Sequence, residues 1–583
     1  MDFLSLSTPL LVLLGALKAC GVVLLLLLAR AIYWMFNMLV VAPLFDPLKN
    51  VQGPKGSILE NHFRQVMDPR VSPDTHESWT RTYGKTFRFQ GFGRHDYRLL
   101  SLDFRVMSHV LNSPVYEKPW QTRSLLSRLL GKGVFAMEGD EHKQLRRLIM
   151  PSFSTHAVKA LTPIFFQKAE ELRDIWETLI MNPDSPRDLQ RGKLPPLPPP
   201  LYIPEKPLAE HIIDASHWIS RATFDVIGLA GFDYHFHSLQ DETEDVYLAY
   251  RRMFDIADKA PGLKGLIQLY IPWLEKILPD EGERITQESL RTIHQAGVRL
   301  IQSKKTAILA EKASSQEIKE KDILSLLIKS NLSSDAPSRL SDAELLDQLS
   351  TFLFAGSDST SLAIAWCLHL LSLHPYAQAR LRDEIMSLSP CASRTSDGPS
   401  DLSLTDAIDA LPYLDAVVRE TLRLCPPVHG TIRVATRDDQ IPVSSPILLR
   451  DGTLIREGET IPIRKGSYVH IPIEGLNFSP DIWGEDARLF NPDRWSSLPA
   501  AARTPAHPGI ASMMTFSFGP HACPGWKFSL LEAKIFIATL LPHFVFEPAA
   551  EIRKTNSILT RPYVYDQFEF GSRMPIKIGR YTP

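Results

Sequence analysis

Apolar residues recur every three to four positions over several long stretches of the chain, a spacing that predicts amphipathic helices. The predicted helices cover residues 157–181, 208–229, 289–313, 342–374 and 411–424. Apolar runs of strand length are few, at residues 85–92, 97–101, 441–449 and 467–473. The pattern therefore predicts a mainly α-helical body with a small β subdomain.

The first 45 residues differ from the rest because they contain very few charged side chains. Residues 10–28 are apolar apart from Lys18, and a second apolar run, 31–44, follows Arg30. About 20 apolar residues cross a bilayer, so either 10–28 or 19–41 can form one transmembrane helix. A buried core helix is an alternative, and a cleaved signal peptide fits less well because no positive charge precedes the long apolar run. We interpret residues 1–45 as a single-pass membrane anchor.

The remainder, residues 46–583, is predicted to form one body. Proline and glycine punctuate residues 43–56, which predicts a stiff linker after the anchor. Residues 183–207, with their run of prolines, and residues 391–401 indicate surface insertions rather than domain boundaries. Basic residues follow the first span, and the positive-inside rule then places the body on the cytosolic side; these residues are Arg30, Lys49 and Lys55.

Charge and cysteine content exclude several classes of protein. The 583 residues include 64 Lys and Arg and 66 Asp and Glu, giving a net charge of −2 and no basic footprint for nucleic acid. The five cysteines are odd in number and scattered, without a CxxC pair. This spacing argues against a disulfide framework and a cysteine-rich zinc site, and it favours a reducing compartment.

One cysteine, Cys523, lies in a segment rich in glycine and proline, residues 516–525, just before an apolar helical run. Backbone N–H groups and the dipole at a helix N-terminus lower the pKa of a thiol and favour the thiolate. We therefore predict a metal-ligating thiolate. The alternative is an inert cysteine in a turn, the commoner role of a lone cysteine.

Two charged patterns are ambiguous by themselves. Glu420 and Arg423 lie one turn apart on the predicted helix 411–424, where most such pairs are solvated and contribute a few tenths of a kcal/mol. Residues 349–361 place the ionisable Asp358 in a largely apolar helix, beside Gly356, a residue type that predicts a kink. This second pattern indicates either a functional role for the acid or a polar patch on a helix surface.

Taken together, the segments resemble the cytochrome P-450 family from about residue 51 to residue 575. The segment around Cys523 matches the family's heme-binding loop, Phe-x-x-Gly-x-Arg/His-x-Cys-x-Gly; the matching residues are Phe516, Gly519, His521, Cys523 and Gly525. Glu420 and Arg423 match the family's Glu-x-x-Arg helix, and Arg494 matches the arginine of a later segment.

The polar helix resembles the family's Ala/Gly-Gly-x-Asp/Glu-Thr-Thr segment. By this resemblance Asp358 is the acid of a proton relay, Ser359 replaces the usual threonine, and Thr360 follows. A serine keeps the hydroxyl but loses the methyl group that restricts the rotamer.

The resemblance also implies a cofactor and its partners in the chain. Cys523 is expected to supply the axial thiolate of heme b, whose propionates are held by His142, Arg146, Arg433 and His521. Glu420, Arg423 and Arg494 are expected to form a buried triad that stabilises the core behind the heme. The implied fold is the P-450 fold preceded by one transmembrane helix.

The implied function is that of a microsomal-type monooxygenase. The amino-acid sequence of residues 354–360 is most similar to fungal members of the family. The enzyme would insert one atom of O2 into a hydrophobic molecule, at the endoplasmic reticulum membrane with the body in the cytosol. Electrons would come from NADPH–cytochrome P-450 reductase, with cytochrome b5 as a further donor, since the chain has no glycine-rich dinucleotide loop. The alternatives are a heme-thiolate isomerase or dehydratase and a non-enzymatic heme-binding membrane protein.

Selectivity and docking segments follow from the same resemblance. The substrate is expected to contact apolar segments at residues 121–137, 352–355, 428–432 and 557–560. Lys143, Arg147 and Lys527 are candidates for a basic patch that binds the redox partner, with ordinary solvated charge as the alternative.

Overall fold

The structure is a computed structural model. It describes residues 7–56, 61–91, 96–182, 195–200, 211–241, 243–257, 281–313, 322–333, 339–388, 401–556 and 558–582. Of the two predicted surface insertions, residues 183–194, 201–207 and 391–400 lie outside the described residues.

Helices account for most of the described body. In the first half of the chain they are α1 (Ser7–Phe36), α2 (Ala42–Leu44), α3 (Phe63–Met67), α4 (Ser72–Tyr83), α5 (Phe104–Asn112), α6 (Trp120–Leu130), α7 (Gly139–Ile149), α8 (Thr155–Ala160), α9 (Thr162–Met181), α10 (Ala215–Phe232) and α11 (Asp245–Ala257). In the second half they are α12 (Glu281–Ala313), α13 (Ile323–Ser333), α14 (Asp342–Leu373), α15 (Pro375–Met386), α16 (Asp401–Asp409), α17 (Pro412–Leu424), α18 (Ile473–Asn477), α19 (Pro480–Trp483) and α20 (Trp526–Leu540).

The strands are short and form several small sheets. They are β1 (Thr86–Gln90), β2 (Tyr97–Ser101), β3 (Tyr116–Glu117), β4 (His211–Asp214), β5 (Thr431–Ala435), β6 (Asp439–Pro442), β7 (Ile447–Leu448), β8 (Leu454–Ile455), β9 (Thr460–Ile463), β10 (Tyr468–Ile471), β11 (Phe544–Pro548), β12 (Ile552–Asn556), β13 (Thr560–Val564) and β14 (Pro575–Arg580). The largest sheet has the order β1-β2-β10-β5-β3, and a second has the order β11-β14-β4. The predicted class, mainly α with a small β subdomain, is confirmed.

Helix α14 runs through the centre of the helical core. Ser341 begins it with a capping box, in which the Ser341 hydroxyl accepts from the Glu344 backbone N–H and the Glu344 carboxylate accepts from the Ser341 N–H. Most of its side chains are buried, and it packs against α10 and α20. The helix that carries the predicted acid is therefore packed between two other helices of the core.

The expected kink at Gly356 does not interrupt α14, which is unbroken from Asp342 to Leu373. The glycine instead permits a close approach of α10. A Cβ atom at position 356 would lie 2.6 Å from Cδ1 of Ile227, well inside van der Waals contact. Gly356 is thus explained by packing.

Three predicted elements differ in detail from the structure. The predicted helix 208–229 begins only at Ala215, because residues 211–214 pair with β14 and Asp214 caps the helix by accepting from the N–H groups of Ser216 and His217. The predicted helix 157–181 is divided at Leu161, since the proline after Thr162 starts a new helix. The predicted strand 441–449 is divided into β6 and β7.

The N-terminal helix is long and fully exposed over its described side chains. Residues Gly15–Leu44 form a 30-residue stretch with mean hydropathy 2.1, long and apolar enough to cross a membrane. Both spans predicted from the sequence end within the helical region that starts with α1 and continues to Leu44. The apolar helix is consistent with a membrane anchor.

The predicted stiff linker is docked on the body. The Asp46 carboxylate accepts from the Leu48 N–H at 2.9 Å, and Leu48 is fully buried. Further on, Val51 forms a β-bridge with Leu449. The chain thus becomes part of the sheet subdomain within a few residues of the end of the apolar helix.

Candidate active site

The loop that carries Cys523 is shaped by its glycines and by hydrogen bonds. The Cys523 N–H donates to the Phe516 carbonyl at 2.9 Å, which closes the loop just before α20. Gly519 has φ of +73°, and a Cβ there would lie 2.4 Å from Oδ1 of Asn112 on α5. Gly525, which ends the loop, lies against the ring of Phe153. Position 519 therefore requires glycine for both its backbone angle and its space.

The environment of the thiol differs from the expectation of a low pKa. Burial raises the pKa of the Cys523 thiol to about 11, although a Gly525 backbone hydrogen bond and the nearby Arg146 both lower it. The predicted low pKa of the Cys523 thiol was wrong, because that prediction considered only the dipole and N–H groups of the helix N-terminus and omitted desolvation. A bound cation is therefore needed to hold the thiolate.

A polar cluster lies beside the cysteine loop and consists of Lys118, Glu138, His142, Arg433 and His521. Glu138, just before α7, accepts from Lys118 Nζ at 2.8 Å and pairs with His521 Nε2 at 3.0 Å. The imidazole of His142 stacks on that of His521 with ring centroids 4.0 Å apart. Arg433 on β5 is buried and donates to the Thr431 hydroxyl at 2.6 Å. The structure thus brings together three of the four predicted propionate-binding residues.

The charge of this cluster is set by burial and by hydrogen bonds together. Burial alone raises the pKa of the Glu138 carboxyl, but hydrogen bonds from His521 and Lys118 hold it well below its usual range. Burial lowers the pKa of His142 to about 3, so that this imidazole is neutral. The fourth predicted residue, Arg146, lies within electrostatic reach of the Cys523 thiol. Lys118 and Glu138 were not predicted, because neither belongs to a recognisable sequence pattern.

The predicted acid of α14 has a partner that the sequence did not indicate. Oδ2 of Asp358 accepts from Nη2 of Arg561 on β13 at 2.6 Å, and the two side chains are 1% and 5% exposed. Oδ1 of Asp358 has no hydrogen-bond partner in the described part of the chain. Asp358 is therefore a buried member of an ion pair rather than part of a surface patch.

The two alcohols that follow Asp358 have separate partners. The Ser359 hydroxyl donates to the Ala355 carbonyl one turn earlier at 2.6 Å. The Thr360 hydroxyl donates to the Ser529 hydroxyl at 3.1 Å, which joins α14 to α20, the helix that follows Cys523. Thr360 also lies beside Glu532, a fully buried carboxyl whose pKa burial raises well above its usual range. Glu532 was missed because a single glutamate on an apolar helix gives no pattern.

The structure brings the predicted triad together around one carboxylate. Glu420 accepts from Arg423 at 2.8 and 2.9 Å and from Arg494 Nε at 2.9 Å. The indole N–H of Trp495 and the backbone N–H of Asn491 also donate to it, each at 3.0 Å. Glu420 and Arg423 are fully buried. Every charge in this network is paired, as a buried charge requires.

These residues suit a metal that brings most of its own ligands. Within the described ranges, no group of three or more His, Cys, Asp or Glu side chains is placed to hold a metal ion. Cys523 offers a single sulfur, and the nearby cluster offers Lys118 and Arg433 to anionic groups. An iron porphyrin supplies its own nitrogen ligands and two carboxylates, so the donor set fits a thiolate-bound heme.

Comparison with known proteins decides the family. The family model described as Cytochrome P450 matches residues 62–565. The chain belongs to the cytochrome P450 family. Cytochrome P450 monooxygenase 205 of Postia placenta is 35% identical over 562 residues, which cover 94% of this chain and 96% of the relative. The ganoderic acid synthetase of Ganoderma lucidum is 31% identical over 540 residues, which cover 89% and 91%.

The family and its relatives establish the class of enzyme. The chain is a cytochrome P450 monooxygenase, similar to fungal members of the family. The family implies a heme-thiolate iron cofactor, O2, a substrate and a redox partner.

Removing the central carboxylate of the triad is expected to be strongly destabilising. Glu420→Ala leaves Arg423 as an uncompensated buried charge and leaves Arg494 with Asp486 as its acidic partner, which should lower the free energy of unfolding by about 3–5 kcal/mol. The neighbouring Asp493 forms an exposed ion pair with Arg380 at 2.7 Å, so Asp493→Ala is the control and should cost at most about 1 kcal/mol. Chemical denaturation followed by tryptophan fluorescence compares the two, and equal losses would contradict the assignment.

The buried ion pair of Asp358 and Arg561 predicts that Asp358→Asn restores part of the stability that Arg561→Ala removes. Arg561→Ala strands a buried carboxylate and should cost about 3–5 kcal/mol. Adding Asp358→Asn removes the stranded charge, so the double variant should be more stable than Arg561→Ala by roughly 1–3 kcal/mol. Denaturation of the wild type, both single variants and the double variant measures this coupling. Strictly additive losses would show that the two side chains do not interact.

Proposed function

We propose that this P450 inserts one atom of O2 into a hydrophobic small molecule while the other atom leaves as water. The Thr360–Ser529 hydrogen bond, which joins α14 to α20, is the main support for this function. This bond fixes the helix of Asp358 and Ser359 to the helix that follows the cysteine loop. An acid and an alcohol on a helix that is bonded to the helix following Cys523 favour O2 chemistry over isomerisation or simple heme carriage.

The residues around the loop would hold a heme b through Cys523, with the propionates near Lys118, His142, Arg433 and His521. Bound there, the heme supplies an iron that activates O2, and the thiolate favours O–O cleavage. Arg146, through its proximity to the sulfur, favours the thiolate form. Glu138 balances the positive charge of the cluster before propionates enter.

Proton delivery is assigned to Asp358 and Ser359. Oδ1 of Asp358 is free to receive a proton, while Oδ2 is held by Arg561. The Ser359 hydroxyl donates to a backbone carbonyl, which leaves its oxygen able to accept from the acid. Because Ser359 lacks the methyl group of threonine, its rotamer is less restricted, and we expect part of the reduced oxygen to be released as hydrogen peroxide.

The aromatic surroundings of α14 favour an apolar substrate. The ring of Phe354 stacks on Phe254 at 4.7 Å and meets Phe135 edge-on at 6.3 Å. Phe135 and Phe354 belong to the predicted selectivity segments 121–137 and 352–355. The other two segments, 428–432 and 557–560, lie at the start of β5 and β13, apart from residue 557, which is outside the described residues.

We further propose the cellular setting and the redox partners. The apolar helix would anchor the enzyme in the endoplasmic reticulum membrane by a single pass, with the body in the cytosol. NADPH–cytochrome P450 reductase, with cytochrome b5 as a second donor, would dock on a basic patch. Lys143 and Arg147 are exposed one turn apart on α7, and Lys527 donates to the Thr155 hydroxyl nearby.

The proposal is tested with the full chain in phosphatidylcholine vesicles, reconstituted with the reductase and with 7-ethoxycoumarin as the probe. NADPH-dependent O2 consumption is expected, and Asp358→Asn should lower its rate per bound heme roughly 100-fold. Asp347→Asn, on the same helix, is the matched control and should retain the rate. No NADPH-dependent O2 consumption in the wild type would favour a heme carrier, and rearrangement of a fatty-acid hydroperoxide without reductase would favour an isomerase.

A further inference from the structure

The hairpin formed by β7 and β8 is apolar on both of its faces. Leu448 pairs with Leu454 and Ile447 pairs with Ile455, so that each pair shares one face of the hairpin. The isoleucines are buried against the body, whereas Leu448 and Leu454 are 50% and 49% exposed. An antiparallel hairpin that covers the core with one face normally turns polar residues to water on the other. The outward leucine pair therefore needs an explanation.

The hairpin is hydrogen-bonded to residues 50 and 51, which follow the apolar N-terminal helix. The Arg450 N–H, in the turn of the hairpin, donates to the Asn50 carbonyl at 2.8 Å, and Leu449 bridges to Val51. Asn50 lies only six positions after Leu44, the last residue of the apolar stretch. Six positions extend over roughly 20 Å at most, so the hairpin must lie within that distance of the end of the helix.

The length of the apolar helix places its end near lipid headgroups. Its 30 residues span about 45 Å, whereas the hydrocarbon core of a bilayer is about 30 Å thick. A helix that crosses the bilayer thus has its last turns in the interfacial layer. Leu44 and Phe45, at this end, are themselves 58% and 71% exposed. Exposed apolar side chains therefore occur on both sides of the short linker.

We propose that the β7–β8 hairpin is a second membrane contact, in which Leu448 and Leu454 enter the interfacial layer of the same bilayer that the apolar helix spans. This inference rests on the proposed membrane anchor. A lipid surface fits better than a protein partner because the hairpin is tied by backbone bonds to the linker that leaves the membrane. Arg450 and Arg456, both exposed, flank the leucines and can extend their charged groups toward headgroups.

The charges around the hairpin indicate that apolar burial dominates the contact. Arg450 and Arg456 are accompanied by the exposed acids Asp451 and Glu457, so the local charge is close to balanced. Zwitterionic phosphatidylcholine should therefore suffice as a binding surface. Two attachment points, the helix and the hairpin, would fix the orientation of the body on the membrane, which a single helix leaves free to rotate about its axis.

Photo-crosslinking in phosphatidylcholine vesicles tests the contact on the full chain. The photoreactive residue p-benzoylphenylalanine replaces Leu448, Leu25 or Leu309 in separate variants, and lipid adducts are counted by mass spectrometry. Leu25 lies in the apolar helix, and Leu309 on α12 is 56% exposed, which matches Leu448 in type and exposure. Lipid adducts are expected with the photoreactive residue at position 25 and at position 448. The adduct yield at position 448 should be roughly tenfold above that at position 309.

The outcomes separate the hairpin from the anchor. Adducts at 25 but none at 448 would overturn the hairpin contact and leave the anchor intact. No adducts at 25 would contradict the membrane anchor, on which the inference depends. Crosslinks from 448 to a second copy of the chain instead of lipid would identify the leucine pair as a protein interface and overturn the proposal.

A second variant tests the leucines themselves. In this variant the photoreactive residue replaces Thr453, in the turn of the hairpin. The double substitution Leu448→Ser and Leu454→Ser should lower the lipid adduct yield at position 453 roughly tenfold, because burial of the two leucines supplies the contact. Both leucines are half-exposed, so the fold should be retained, and the yield at position 25 is the internal reference. An unchanged yield at 453 would exclude a role for the leucine pair.

Discussion

A single buried carboxylate, that of Glu420, joins the segments on which the position of the cysteine loop depends. Its partner Arg423 donates to the carbonyl of Asn477 on α18, and the amide of Asn477 donates in turn to the Thr515 hydroxyl and accepts from the Met514 N–H. Residues 514 and 515 lead directly into the loop that carries Cys523. The ion network therefore acts as a scaffold: its charges take no part in the chemistry, but they determine where the sulfur lies. Such a network is costly to disturb, because each group in it is desolvated and satisfied only by the others.

The parts of this site that the sequence predicted are those with a fixed local spacing. The Cys523 loop, the Glu420–Arg423 pair and the Asp358–Ser359–Thr360 run each depend on neighbouring residues along the chain, and the fold class followed from the helical periodicity. Arg561, Lys118 and Glu138 could not be found in this way, because their roles arise only when distant strands and helices pack together. The same reason explains β4, whose residues looked helical until β14 supplied a pairing partner.

The balance between burial and hydrogen bonding determines which side chains of the site are charged. Local reasoning about helix dipoles predicted an acidic thiol at Cys523, whereas desolvation raises its pKa to about 11. In the neighbouring cluster the direction is reversed for Glu138, whose hydrogen bonds outweigh its burial. The difference is physical: Glu138 has direct donors on two residues, Lys118 and His521, while the sulfur has one backbone donor and a more distant guanidinium. A cysteine in this setting is suited to ligate a metal and poorly suited to act as a free nucleophile.

The carbon-monoxide difference spectrum of the dithionite-reduced, full-length protein shows whether Cys523 binds the heme iron as a thiolate. We expect a strongly red-shifted Soret band that is lost in Cys523→Ser and retained in Cys367→Ser, a buried cysteine on α14. Folded protein without heme, or a heme whose band is not shifted, would contradict thiolate ligation by Cys523.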